Sequence, residues 1–170
     1  FKSADHTSSL RRAMKGVLDL FDLVSANPAR RLLGVQTIGQ AQDASKLSLL
    51  EERLPVETDD RVKRALREAL ALIRLKDPAD DIKLVALAEL KALHTLSSAD
   101  FLRTAQSEAE GRKAAPVVAA AKSAIKAVEL HRTFVDLFGT IFRGLSLGSI
   151  LLVLALGLAI TFGLMGVINM

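Results

Sequence analysis

The chain has 170 residues, half of them hydrophobic, and a formal net charge of +4 that is spread along the sequence rather than gathered in blocks. Tyr and Trp are absent, so neither a basic face nor stacking aromatics favours a nucleic-acid partner, and that class is set aside. Cys is also absent, which excludes disulfides and thiolate chemistry but does not fix the compartment.

The composition points to an all-α chain: residues 1–143 are rich in Ala, Leu, Lys, Arg and Glu, and the prolines sit at positions that look like helix boundaries. A first helix is expected over Ser8–Val24, with Leu10, Met14, Val17, Leu18, Phe21 and Leu20 or Val24 at the 3–4 spacing of one apolar face. Asn27-Pro28 reads as an N-cap followed by proline at the first helical position, where its missing N–H costs nothing. The helix after it carries Leu32, Leu33, Val35 and Ile38 and ends near Gly39. Asp43 caps a third helix holding Leu47, Leu49, Leu50 and Leu54, which Pro55 closes. Thr58, Asp59 and Asp60 open a fourth, whose buried stripe is Val62, Leu66, Ala69, Leu70 and Ile73. Asp77-Pro78 repeats the cap-plus-proline device before a helix with Ile82, Val85, Ala86, Leu90 and Leu93 inside. Ser97 or Ser98 starts a short helix through Phe101 and Leu102 that Gly111 stops. Ala115-Pro116 begins a long helix through Val118, Ile125, Val128 and Leu130, running on toward Phe142 with a kink near His131.

Weak internal similarity runs through this region. Residues 31–38 align with 63–70, and 62–66 with 82–86. An Asp-Pro or Asn-Pro turn, a basic residue and an Ala/Leu-rich helix resemble HEAT-type repeats, though the spacing is uneven. Two arrangements stay open, a HEAT-like solenoid and an irregular helical array. The expected organisation is a HEAT-like extramembrane domain at 1–113, a connecting and juxtamembrane amphipathic helix at 114–143, and a transmembrane helix at 144–170.

Nothing in the polar residues supports an enzyme. His6, His94 and His131 lie far apart, without metal-ligand spacing, so no metal is expected. The adjacent pairs Asp59-Asp60 and Asp80-Asp81 point in different directions on a helix and suit helix starts better than acid–base work. Thr7-Ser8-Ser9 and Ser97-Ser98 read as caps. Nucleophile elbow, phosphate-cradling glycine loop and zinc motif are all missing, so no cofactor is expected.

The C-terminal stretch is more telling. Phe134, Leu137, Phe138, Ile141 and Phe142 share one side of a helix, which either lies along a membrane interface or packs on the helical domain. Residues 144–170 hold no Lys, Arg, Asp, Glu or His, and Leu145–Ile168 exceeds the roughly 20 apolar residues that span a bilayer. Gly148, Ala155, Ala159, Gly163 and Gly166 follow one another at intervals of 7, 4, 4 and 3 residues and so share a helix face. In lipid such a face lets a neighbouring helix approach closely, so it marks a helix packed in a bundle rather than a bare anchor.

The run Gly144-Leu145-Ser146-Leu147-Gly148-Ser149, followed by Leu156-Gly157-Leu158-Ala159-Ile160-Thr161-Phe162-Gly163-Leu164-Met165-Gly166-Val167-Ile168-Asn169-Met170, resembles the first membrane segment of branched-chain amino-acid-type ABC transporter permeases. In that family the segment leads into an Ala-His-Gly-Glu continuation, and this chain stops just before it. Most members lack a large helical domain ahead of the segment; the urea-transporting branch has one, and residues 1–143 look similar to it. The resemblance implies the N-terminal portion of an importer permease in the bacterial plasma (inner) membrane. It implies partners as well: membrane lipid, a second permease subunit, cytoplasmic ATPase subunits and an extracytoplasmic substrate-binding protein. It places the helical domain in the periplasm, whereas Lys126, Arg132 and Arg143 ahead of the span, read by the positive-inside rule, place it in the cytoplasm. It assigns no substrate-contacting residue, and it does not separate urea from short amides or branched-chain amino acids. The alternative is a tail-anchored helical scaffold that presents an interaction surface at a membrane, with Met170 as its native end.

Overall fold

The computed structural model describes Met14 and residues 20–164. Among the described residues all regular structure is helical, with no strand, as the composition predicts. Met14 and residues 20–23 are helical; the remainder of the helix expected at Ser8–Val24 lies outside the described residues, apart from Val24, which sits in a turn. Six further α-helices follow: α1 (Pro28–Ala41), α2 (Leu47–Arg53), α3 (Asp60–Arg74), α4 (Asp80–Leu93), α5 (Ala99–Gly111) and α6 (Ala115–Leu164). Short 3-10 turns at Ala44–Lys46 and Leu96–Ser98 lead into α2 and α5.

Local chemistry explains most of the starts. Asn27 accepts a hydrogen bond from the Ala29 N–H at 2.9 Å with Pro28 at the first turn of α1. Asp43 accepts from Ser45 N–H at 3.0 Å, which caps the 3-10 turn ahead of α2 rather than α2 itself. Asp59 accepts from the N–H groups of Arg61 and Val62 and so caps α3. Its carboxyl is held below the usual range, chiefly by the hydrogen bond from the Arg61 side chain.

Two expected starts differ. α4 begins at Asp80 rather than Pro78, because Asp77 spends its carboxylate on the Ala79 N–H at 2.9 Å and closes a turn ahead of the helix. Ser98 does stand at the N-cap position of α5, but neither its side chain nor that of Ser97 caps the helix. Ser98 donates to the Thr95 carbonyl at 2.7 Å, and Ser97 donates to Glu68 of α3 at 2.5 Å. Three helix ends or turns rest on left-handed residues that are not glycine, Gln42, His94 and Lys113. At Lys113 the turn is closed by the Ala114 N–H on the Ala109 carbonyl, 2.9 Å.

α3 is the central element: α1, α2 and α4 all pack on it. Val62, Leu66, Ala69, Leu70 and Ile73 are all buried, as their spacing predicts. One core cluster joins them to Leu23, Val35, Ile38 and Leu50; a second joins Leu72 to Leu87 and Leu90 of α4, Leu102 of α5, and Val117, Ala121 and Val128 of α6. On α4 the buried face is Lys83, Ala86, Leu87, Leu90 and Leu93, while Ile82 and Val85, expected inside, are exposed. Apolar residues surround that helix, so the pattern does not set its rotation. Leu33 of α1 and Leu130 of α6 are likewise exposed. The segment 114–143, read from sequence as a connector, contributes core residues as far as Val128. The first compact unit closes there, and a second opens at Glu129.

α1 meets α3 at Gly39. A Cβ at that position would lie 2.7 Å from the Ala69 Cβ and 2.8 Å from its Cα, closer than atoms can pack. Nearer the start of α1 lies a buried ion pair that sequence spacing did not signal. Arg31 Nε and Nη2 donate to the two carboxylate oxygens of Glu57 at 2.9 and 2.8 Å, while Nη1 donates to the carbonyls of Ser25 and Ala26. Glu57 Oε1 also accepts from the N–H groups of Thr58 and Asp59. The Arg31 hydrogen bonds drive the Glu57 pKa from its ordinary 4.5 to about 2, against the opposing effect of burial.

Two predictions follow from this packing. Gly39→Ala is expected to destabilise the domain by about 1–3 kcal/mol, since the obstructing atoms include backbone; a thermal midpoint equal to that of the parent chain would contradict the contact. Glu57→Gln leaves Arg31 buried beside a neutral partner and is expected to cost about 3 kcal/mol at pH 7. The unfolded chain takes up the Glu57 proton near 4.5 and the folded chain only near 2. Between these values the unfolded state therefore binds more protons, and the stability supplied by Glu57 is lost as pH falls through that window. Thermal unfolding followed by circular dichroism from pH 7 to pH 3 should show a shallower decline in the Gln variant than in the parent chain.

Candidate functional site: an exposed apolar helix

The second half of α6 changes character within a single element. Its first turns carry Lys122, Lys126 and Glu129, its middle carries Arg132, Asp136 and Arg143, and from Gly144 to Leu164 no side chain is charged. Ala, Leu, Ile and Val sustain the helix, and its glycines are tolerated because intrahelical hydrogen bonds run on through them. About 20 residues at 1.5 Å each give roughly 30 Å of apolar helix, the thickness of a bilayer's hydrocarbon core. It is a helix long and apolar enough to cross a membrane.

Every residue from Glu129 to Gly163 is exposed. Between Leu145 and Phe162 eleven large apolar side chains face outward. Covering each is worth about 1.5–3 kcal/mol, so leaving all of them in water would forfeit on the order of tens of kcal/mol. Two of the hydroxyl groups within the segment are already matched locally. Ser149 donates to the Ser146 carbonyl at 2.8 Å, and Thr161 donates to the carbonyls of Gly157 and Leu158 at 2.6 and 3.1 Å. Hydroxyls satisfied by their own helix's backbone need no water.

Gly148, Ala155, Ala159 and Gly163 fall within an arc of about 80° at 3.6 residues per turn. Leu152 interrupts this face between Gly148 and Ala155. Gly166, the fifth residue expected on it, lies outside the described residues. A Cβ added at Gly144, Gly148 or Gly163 would meet nothing within 4 Å. The face is therefore an open groove in this chain.

Ahead of the uncharged stretch, Phe134, Leu137, Phe138, Ile141 and Phe142 are all exposed. Arg132 pairs with Asp136 at 3.7 Å, away from that apolar row, and Thr133 and Thr140 donate to carbonyls one turn back.

The other candidate groups take structural places. His94 occupies the left-handed C-cap of α4 and its Nδ1 lies 2.9 Å from the Ala92 carbonyl. His131 is on the exposed part of α6, and His6 lies outside the described residues, as do Thr7, Ser8 and Ser9. Asp60 opens α3, while Asp80 and Asp81 open α4, where Asp80 lies 3.5 Å from Arg112. Among the described residues no group of three or more His, Asp or Glu is placed to hold a metal ion. Comparison with protein-family models, with curated proteins and with solved structures finds no match to this chain.

Proposed function

We propose that the chain is the N-terminal portion of a membrane permease subunit of an ABC importer, with urea or a related small amide as the transported solute. The observation that carries the reading is the uncharged, outward-facing helix from Leu145 to Gly163, with small residues along one face and nothing packed against them. Lipid can cover the leucines, and a neighbouring membrane helix can fill the groove. The likeness of residues 144–170 to the first membrane segment of branched-chain amino-acid-type permeases supplies the transporter class. The helical domain ahead of it supplies the urea-transporting branch.

In this reading α6 contributes one wall element to a translocation pathway completed by further permease helices and a second permease subunit. Cytoplasmic ATPase subunits drive the cycle, and an extracytoplasmic binding protein delivers the solute. The helical unit ending at Val128 lies in the periplasm and serves as an assembly or docking element. Its short helices, stacked on α3, offer the stiff surface that such arrays use for partners.

Two experiments test it. Gly163→Leu or Ala159→Leu should cut urea uptake and recovery of the assembled transporter about tenfold or more, which corresponds to roughly 1.4 kcal/mol of lost association. Leu154→Ile and Leu158→Ile, on other faces, should change little. Equal tolerance at both sets of positions in a complementation assay would count against a bundled permease helix and favour a membrane-anchored scaffold. For the side of the membrane, single cysteines replace the exposed Lys91 and Arg112 of a chain with no native thiol. An impermeant maleimide should label both in intact spheroplasts. Labelling only after the membrane is broken would put the domain in the cytoplasm.

A further inference from the structure

Glu68 lies in the middle of α3, 9 % exposed, which is an expensive place for a carboxylate unless it is paired. Its hydrogen-bond partner is the Ser97 hydroxyl, which donates to Oε1 at 2.5 Å. Among the described residues no Lys, Arg or His forms an ion pair with it, whereas Glu57, buried still more deeply, is met by both Arg31 and Arg53. An ionised carboxylate accepts at about four lone-pair positions, so most of its capacity is open.

That open side faces a cavity of about 100 Å³, lined by Gln36, Gly39 and Gln40 of α1, Ala65, Glu68, Ala69 and Leu72 of α3, and Ser97. The lining combines one carboxylate, two side-chain amides with carbonyl acceptors, and an apolar floor. It contains no cationic side chain. One water needs roughly 10–15 Å³, so the space takes a group of several heavy atoms. Gly39 is part of the lining, where the missing Cβ lets α1 and its two glutamines come against α3. A planar cation with several N–H donors and no acceptor matches this wall best, because it can meet the carboxylate and the amide carbonyls together.

We propose that this cavity binds a guanidinium group, carried by a free small molecule or by an arginine side chain of another protein, with Glu68 as its counter-ion. The site is independent of the membrane reading, since every lining residue belongs to the helical unit.

The test uses the full chain in lipid nanodiscs with 13C-labelled Ala and Leu methyls. Methylguanidinium should shift the Ala65, Ala69 and Leu72 methyls saturably, with half-saturation on the order of 1 mM for so small a ligand. Ala121 and Ala124, in the other core cluster, should not move. The neutral isostere N-methylurea should bind at least about tenfold more weakly, as should methylguanidinium to Glu68→Gln, because the charge-assisted bonds are lost. Ser97→Ala should retain binding. Nα-acetylarginine amide separates the sources: half-saturation comparable to methylguanidinium's assigns the site to an arginine side chain, and failure to bind assigns it to free guanidinium compounds. The proposal is overturned if methylguanidinium gives no saturable shift, if N-methylurea matches it, or if a folded Glu68→Gln binds as well as the parent. Where Glu68→Gln loses the Ala121 and Ala124 signals of the folded domain, the N-methylurea comparison decides.

Discussion

Arg31 and Glu57 sit where three segments must agree. Arg31 is in α1, Glu57 is in the loop that leads into α3, and the carbonyls of Ser25 and Ala26 belong to the turn before α1. The two parallel N–H···O bonds between guanidinium and carboxylate allow one relative placement of α1 and that loop. Glu57 then accepts from the N–H groups of Thr58 and Asp59, and Asp59 is the N-cap of α3. The pair therefore sets where the central helix begins, and α1, α2 and α4 pack on that helix. A buried ion pair adds little net stability over well-packed apolar residues of the same volume. Its contribution here is register: once Glu57 is seated, Gly39 meets Ala69 and both core clusters close on α3, one along Val62 to Ile73 and the other at Ala71 and Leu72.

What the amino-acid sequence revealed follows the range of the interaction. Asn27-Pro28 and Asp59 act on N–H groups two or three residues away, so their roles as caps were legible. The stripe of α3 was legible too, because Arg61, Arg64 and Arg67 fill the other face of its first half, although from Glu68 to Ile73 the helix is buried all round. α4 was not, since Ile82, Leu84, Val85 and Leu87 nearly encircle it and the choice between them is made by α3 and α5. Lys83 took an inner place expected for Ile82. Ser97 was misread for the same reason: a serine at a helix start looks like a cap, and its real partner is 29 residues away in α3. Arg31–Glu57 spans 26 residues and has no local signature at all. Left-handed Gln42, His94 and Lys113 escaped notice because glycine, the usual marker of that conformation, is absent from all three. For the candidate membrane segment, length, lack of charge and the common face of Gly148, Ala155, Ala159 and Gly163 could all be counted directly. What covers that face lies beyond this chain's own contacts.

The two units solve the problem of polar groups in opposite ways, and the contrast bears on function. In the helical unit, polar side chains reach across elements: Arg31 to Glu57, Ser97 to Glu68, Gln42 to the Leu72 carbonyl at 2.7 Å, and Arg64 to the Leu93 carbonyl. Such bonds need a defined tertiary structure, and they tie neighbouring helices to one another. From Glu129 onward the hydroxyls of Thr133, Thr140, Ser149 and Thr161 all turn back to carbonyls three or four residues earlier. These four hydroxyls ask nothing of any neighbour, which suits a helix surrounded by hydrocarbon. Water would reward the opposite choice, with hydroxyls directed to solvent and apolar side chains turned inward. From Gly144 to Gly163, where its leucines point out and no side chain is charged, α6 is chemically prepared for lipid, and for another helix only along the row of small residues.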